Sequence, residues 1–378
     1  MEDIRRVKPL YRSWALLIML AITVLAGCQA ESPIKVGFIA GTSGRVADLG
    51  ISGRDAAQLA IEQCNQEGGI AGRKIQLIIK DDEQSPALAR NKMQELVAAG
   101  LVAVIGPMTS DMGIAISPIA DASETLLISP TVTTHLLSGK DDYLFRVTST
   151  TRDYAAKSAR YQIASGNVRS IAAAYDLGNK SFCESWLNSF VETFTAGGGE
   201  VRETLGYRAG ADQSFLEIAQ KLLTARPDGI LIIANSMDSA LLCQQIRKLD
   251  SDIAITLADW GATERLLELG GRAVEDVTVV QTFDRNSKAP DYQAFRKIYM
   301  DHFQREPGFP GVYTYDAVQV LLTAFRMQKT DETLKQTILS IRRFKGLQSE
   351  FSFDDFGDVK RPHASISVIR NGRFVVVE

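Results

Sequence analysis

From residue 34 onward the sequence alternates short apolar, β-branched runs with longer stretches of helical spacing, and near residue 144 it begins that pattern again. The first runs are IKVGFIA (34–40), KIQLIIK (74–80), LVAVIG (101–106) and TLLIS (125–129). Between them, 53–67, 86–99 and 110–123 carry apolar residues a helical turn apart, as Ala57, Ala60, Ile61 and Cys64 do. Strands separated by whole helices do not pair as hairpins; each returns parallel to its predecessor with the helix laid on the sheet face. After LFRVTST (144–150) come SIAAAYD, EVRETLGY, GILIIAN and DIAITLAD, with helices predicted near 153–165, 182–196, 212–225 and 237–249. Pro227 and Asp228, like Arg73 and Lys74, read as turns that deliver the chain into buried parallel strands. Three more helices are predicted near 290–305, 311–327 and 331–342. A β-rich tail follows, in which Asn371 and Gly372 mark a hairpin. The expected fold class is α/β, with two doubly wound, Rossmann-like lobes.

The N-terminus sets the compartment. Arg5, Arg6, Lys8 and Arg12 precede an apolar run, Ala15 to Ala26, that stops at Gly27 and Cys28. A charged head, a short apolar segment and small residues at the end are the pattern of an export signal; a membrane anchor would continue to about 20 apolar residues. LAGC resembles the bacterial lipobox, which implies that 1–27 is a signal peptide, that Cys28 carries the lipid and that 28–33 is a linker. Gln29 then favours the inner leaflet of a Gram-negative outer membrane, on the periplasmic side.

Residues 1–27 hold four basic and two acidic residues, so their removal moves the formal charge from −3 to −5. No basic face remains for nucleic acid. The remaining length exceeds what one core usually organises, which also points to two domains. Cys64, Cys183 and Cys243 are too scattered to ligate a metal; Cys183 and Cys243 are left open as a disulfide or as two buried thiols. His135, His302 and His363 lie far apart. The chain has no GxSxG elbow and no GxGxxG after a strand, so neither an enzyme nor a cofactor site is expected.

Ligands of open α/β sheets bind outside the carboxyl ends of the strands. GTSGRVADLG (41–50), with Ser43, reads as a loop of glycine and serine whose backbone N–H groups stay available. GPMTSDMG (106–113) places Thr109 and Ser110 at a helix start, and SPTVTT (129–134) follows the fourth strand. Hydroxyls there either cap the helix or hold a carboxylate. On the second set, YDLGNKSF, ANSMDS and LADWG offer polar groups; Asp259 either meets a ligand ammonium or caps the helix starting near Thr263. Trp260 walls a pocket or fills a core. A nucleophile–base pairing of His135 with Ser110 or Thr133 is the remaining catalytic alternative.

The motifs IKVGFIAGTSG with Gly50, IEQCNQEGGIAGRKIQLIIKDDE, VAVIGPMTS, LLISPTVT, LFRVTST and TYDAV together resemble the type I periplasmic binding proteins, in particular their leucine/isoleucine/valine-binding branch. The resemblance implies lobes of 34–146 with 280–345 and 147–279 with 346–378, joined by three crossover strands near Arg146, Val279 and Gly346. It implies that Ser110 and Thr133 hold an α-carboxylate, that the Thr131 carbonyl and Asp259 take the ammonium, and that Phe182, with Ser181 competing, closes the cleft. Asn235 and Leu49 stand where the family has aromatics, so a branched aliphatic ligand does not follow. The implied partners are an amino-acid-like ligand and an ABC permease. A sensor of the same fold and a lipid-anchored hydrolase are the alternatives.

Overall fold

The computed structural model describes residues 32–210, 214–360 and 364–378, so Cys28, the export signal and His363 lie outside the described residues. β1 (Ile34–Ala40), β2 (Ile75–Asp81), β3 (Ala103–Ile105), β4 (Leu126–Ser129) and β5 (Leu144–Arg146) form one sheet in the order β2-β1-β3-β4-β5. All its pairs are parallel. Every residue of β3 and β4 is buried, which is why these runs are uniformly apolar and not alternating. The intervening helices are α1 (Ala47–Gln66), α2 (Pro86–Ala98) and α3 (Ser110–Ala122). α2 starts where Ser85 Oγ accepts from Leu88 N at 3.4 Å ahead of Pro86, whose ring suits the first helical position.

The second sheet takes β6 (Ser170–Asp176), β7 (Glu200–Tyr207), β8 (Gly229–Ile233), β9 (Ala254–Leu257) and β10 (Thr278–Gln281). Its helices are α4 (Thr151–Ser165), α5 (Lys180–Ala196), α6 (Phe215–Thr224), α7 (Ser236–Leu249) and α8 (Glu264–Gly270). The chain then returns toward the first sheet. α9 (Pro290–Phe303), α10 (Gly308–Met327) and α11 (Leu334–Ser340) follow, and α10 lies along α1, with Tyr315 Oη donating to Gln63 Oε1 at 2.8 Å. A small antiparallel sheet comes next, of β11 (Phe344–Lys345), β12 (Glu350–Phe353) and β13 (Val359–Lys360). Finally β14 (Ser365–Arg370) and β15 (Arg373–Val376) join the second sheet, in the order β15-β14-β10-β9-β8-β6-β7, with β14 antiparallel to β10. Asn371 and Gly372 turn the hairpin with φ of 52° and 66°, the left-handed values that such a turn requires.

Two expectations change. α1 begins at Ala47, not at 53, so much of the expected 41–50 loop is helix and Leu49 and Gly50 sit on it. Gly50 resembles a helix breaker but answers a packing demand: a Cβ there would lie 2.0 Å from the Gly41 carbonyl oxygen. The β11–β13 sheet was not anticipated, because strands of two to four residues are too short to show alternation. It is held by a cluster of rings, with Phe353 lying 5.3 Å from Phe145 and 5.4 Å from Phe344.

Candidate functional site

On the first sheet, the loops after β3 and β4 are tied to each other. Ser129 Oγ donates to the Pro107 carbonyl at 2.7 Å and accepts from Val132 N at 3.0 Å. Thr131 Oγ1 donates to the Met108 carbonyl at 2.6 Å. Thr109 occupies the N-cap of α3 without a side-chain cap bond. Ser110 is the first helical residue and is buried; its Oγ accepts from Thr134 N at 3.3 Å, so it does not cap its own helix. Thr133 is buried too, its carbonyl accepts from Thr151 N at 2.8 Å, and its Oγ1 has no hydrogen-bond partner among the described residues. A buried hydroxyl without a partner is costly, and such groups are rare away from sites that receive a ligand or water.

On the second sheet, Asp259 begins the turn after β9 and is buried. Trp186 Nε1 donates to its Oδ1 at 2.9 Å, and no lysine or arginine pairs with it among the described residues. Burial pushes its carboxyl up to about 7, with the indole bond opposing. It does not cap the next helix, whose N-cap position is Thr263. Phe182 is buried and meets Trp260 edge-on, with ring centroids 5.5 Å apart. Leu49, Met108, Phe182, Trp186 and Trp260 belong to one continuous buried cluster that runs through both sheets' helices.

α5 connects the two sides turn by turn. Ser181 N donates to Asp111, the neighbour of Ser110, at 2.8 Å, while Phe182 faces Trp260. One turn later Ser185 Oγ lies 2.5 Å from Thr151 Oγ1 and 2.6 Å from His135 Nδ1, and Trp186 carries Asp259. The structure therefore brings Ser110, Thr133, Phe182 and Asp259 around the same helix start, while Leu49 is tied to them only through the shared buried cluster. It pairs His135 with Ser185, not with Ser110 or Thr133, which corrects the catalytic alternative.

Three residues named from sequence are exposed or bonded elsewhere. Ser43 is exposed and follows Thr42, whose N–H donates to the Asp81 carboxylate of its own sheet at 3.0 Å. Asn235 is buried and N-caps α7, its Oδ1 accepting from Asp238 N at 3.0 Å. Thr131 is half-buried, and its hydroxyl is directed to Met108. Cys64, Cys183 and Cys243 are free buried thiols, so no disulfide joins Cys183 to Cys243. No group of three or more potential metal ligands occurs among the described residues, and no helix among them is long and apolar enough to cross a membrane.

Sequence reasoning missed Trp186, Arg45, Asp48 and Asp111. Trp186 reads as a core residue because only its ring nitrogen is polar. Asp48 and Asp111 read as ordinary first-turn acids that complement a helix dipole. Arg45 reaches Asp238 at 3.2 Å, a carboxyl that burial pushes up to about 6 against the pull of that arginine.

A profile described as periplasmic binding protein matches residues 33–372. A Leu/Ile/Val-binding protein of Rhizobium johnstonii is 22% identical over 354 residues, covering 92% of this chain and 95% of that protein. The branched-chain amino acid transporter substrate-binding protein of Streptococcus pneumoniae, solved in complex with isoleucine, is 25% identical with a TM-score of 0.83, over 91% of this chain and 99% of that one. A solute-binding protein of an ABC transporter from Rhodopseudomonas palustris, solved in complex with 3,4-dihydroxybenzoic acid, is 21% identical with a TM-score of 0.81, over 91% and 95%.

Proposed function

Because the chain belongs to the periplasmic binding protein family, a family of transport receptors, we propose that it captures an amino acid, or a ligand of the same zwitterionic design, by hinged closure and delivers it to an ABC permease. The lobes of this hinge are 34–146 with 280–345 and 147–279 with 346–378. Cys28 anchors the receptor by lipid on the periplasmic side of the membrane, in the inner leaflet of a Gram-negative outer membrane.

The observation that carries the reading is a pair of unfinished polar sites, each tied to the first turns of α5. Thr133 Oγ1 is buried without a partner, and Asp259 is a buried carboxyl whose charged form lacks a cation. A ligand carboxylate completes the first, with Ser110 beside it, and a ligand ammonium completes the second. Thr131 offers its carbonyl to the same ammonium. Phe182 and Leu49 wall the side-chain end. A thermal-shift screen of the full chain against the common amino acids tests this: a ligand held at 100 times its Kd stabilises the fold by about 2.7 kcal/mol. No shift with any amino acid would sink the reading.

An aromatic acid such as 3,4-dihydroxybenzoate has a carboxylate but no cation for Asp259, and pH separates the two ligand classes. In the closed arrangement Asp259 titrates near 7 without ligand, and a bound ammonium favours its charged form and lowers that value. Below pH 7 the ammonium must therefore displace a proton. Affinity for an amino acid is expected to be full above pH 7 and to fall by about tenfold per pH unit below it, until the lowered pKa of the complex is reached. Affinity for a ligand without a cation should hold or rise as pH falls. Calorimetry at pH 6 in two buffers of different ionisation enthalpy reads the released proton directly.

A further inference from the structure

Two carboxylates from the first-sheet lobe reach helix starts on the second-sheet lobe. Asp48, the second residue of α1, accepts at Oδ2 from Ser236 Oγ and from Thr263 Oγ1, each at 2.6 Å. Ser236 opens α7, and Thr263 is the N-cap of α8. Asp111, the second residue of α3, accepts from Lys180 N at 3.0 Å and Ser181 N at 2.8 Å, the first two residues of α5, and from the Ser181 hydroxyl. Its own N–H donates to Asn179 Oδ1 at 3.1 Å. Each contact crosses between residues 34–146 and residues 147–279, and none passes through a ligand.

The arrangement is electrostatically specific. Closing the lobes turns the positive ends of α1 and α3 toward those of α7 and α5, and unsatisfied N–H groups facing one another repel. A carboxylate set between each pair reverses the sign of that interaction, and does so only when the lobes are together. A contact made in one state and lost in the other shifts the population between them. Asp48 and Asp111 also open onto separate surface cavities, one shared with Thr263 and Met237 and the other with Lys180 and Arg208, so they stand at two different rims of the closure.

We propose that Asp48 and Asp111 are positioning residues that latch the closed form at its two rims and set how long the ligand is held without touching it. The proposal rests on the hinge reading above. Its balance is simple: opening exchanges five hydrogen bonds from hydroxyl and N–H donors on the second lobe for water, with no covalent change.

The test uses the full chain as wild type and with Asp48→Asn, Asp111→Asn and both. The ligand-free radius of gyration is read by small-angle scattering, and dissociation of L-leucine by stopped flow. Asn keeps the shape but loses the charge and the second strong acceptor. Each single change is expected to raise the off-rate about 5- to 30-fold, with the association rate nearly unchanged, as loss of charge-assisted bonds in a partly exposed setting implies. The ligand-free double variant should scatter as a more open particle than wild type. Thr263→Ala removes a partner of Asp48 from the other lobe, and its effect on the off-rate should not add to that of Asp48→Asn. Unchanged off-rate and scattering, or strict additivity of Asp48→Asn with Thr263→Ala, overturns the proposal. If wild type does not bind L-leucine, the scattering comparison still decides the latches, while the choice of ligand fails separately.

Discussion

Replacing Asp259 with Ala is expected to weaken binding of an α-amino acid by about 2–4 kcal/mol, roughly 30- to 1,000-fold, because it leaves a desolvated ammonium without its countercharge. The size follows from burial: Asp259 is buried, its Oδ1 takes the Trp186 N–H, and no lysine or arginine offsets its charge among the described residues. On the fold the same substitution has two opposing effects: it removes an uncompensated carboxyl that burial raises to about 7, and it leaves the buried Trp186 N–H without its acceptor, at a cost of about 1–3 kcal/mol. Calorimetry and a thermal melt on the variant separate binding from stability. An affinity unchanged within twofold would remove Asp259 from the ammonium site. Asp259→Asn is the companion variant, because it keeps the acceptor for Trp186 and loses only the charge.

The second large effect concerns stability. Arg146, at the end of β5, is fully buried, yet all three of its nitrogens donate: Nε to Asp358 at 2.9 Å, Nη1 to the Thr134 carbonyl at 2.7 Å and Nη2 to Ser138 Oγ at 2.6 Å and to Asp358. Asp358 comes from the turn that leads into β13, so this one side chain fastens a late segment to the end of β5. Arg146→Ala is expected to cost about 3–5 kcal/mol, the range for breaking a buried pair by removing one partner, and nearer the lower end because the Asp358 side chain is 17% exposed and gains water. Arg146→Lys should recover little of it, since one ammonium cannot reproduce the planar fork that meets three acceptors at once. Urea denaturation with an unchanged m-value reads the loss. Ligand affinity should drop as well, because the Thr134 carbonyl that Arg146 holds belongs to the residue whose N–H meets Ser110 Oγ.

Much of the architecture was legible because buried parallel strands leave a strong mark. IKVGFIA became β1 at residues 34–40, and SIAAAYD became β6 at 170–176, without adjustment. The RNG turn of the tail carried its hairpin in two residues. What was not legible depended on contacts between distant segments. Gly50 speaks against a helix until one sees that Gly41 lies against it, and the residues 344–360 hold together through rings on other elements. For the site, the residue types were informative where a lone acid or hydroxyl followed a strand, as with Ser110 and Asp259. They were uninformative where a side chain acts by crossing to the other sheet. Ser43 and Asn235 follow strands just as well, yet one is exposed and the other caps α7. Nothing local to Asp48 or Asp111 says that its oxygen atoms meet residues 188 or 70 positions further along the chain.

The threefold passage between the sheets has a consequence for biosynthesis. α1 is made among the first segments of the folded chain, but the helix that covers it, α10, ends only at Met327, and its seat on Gln63 waits for Tyr315. Until then the apolar face of α1 has no cover of its own, whereas most strands of the second sheet have already been completed from one contiguous stretch. The portion synthesised second is therefore expected to consolidate first, and the portion synthesised first to remain open until nearly the whole polypeptide is out. A chain halted before residue 308 would hold an unsealed half, a state prone to capture by chaperones or proteases.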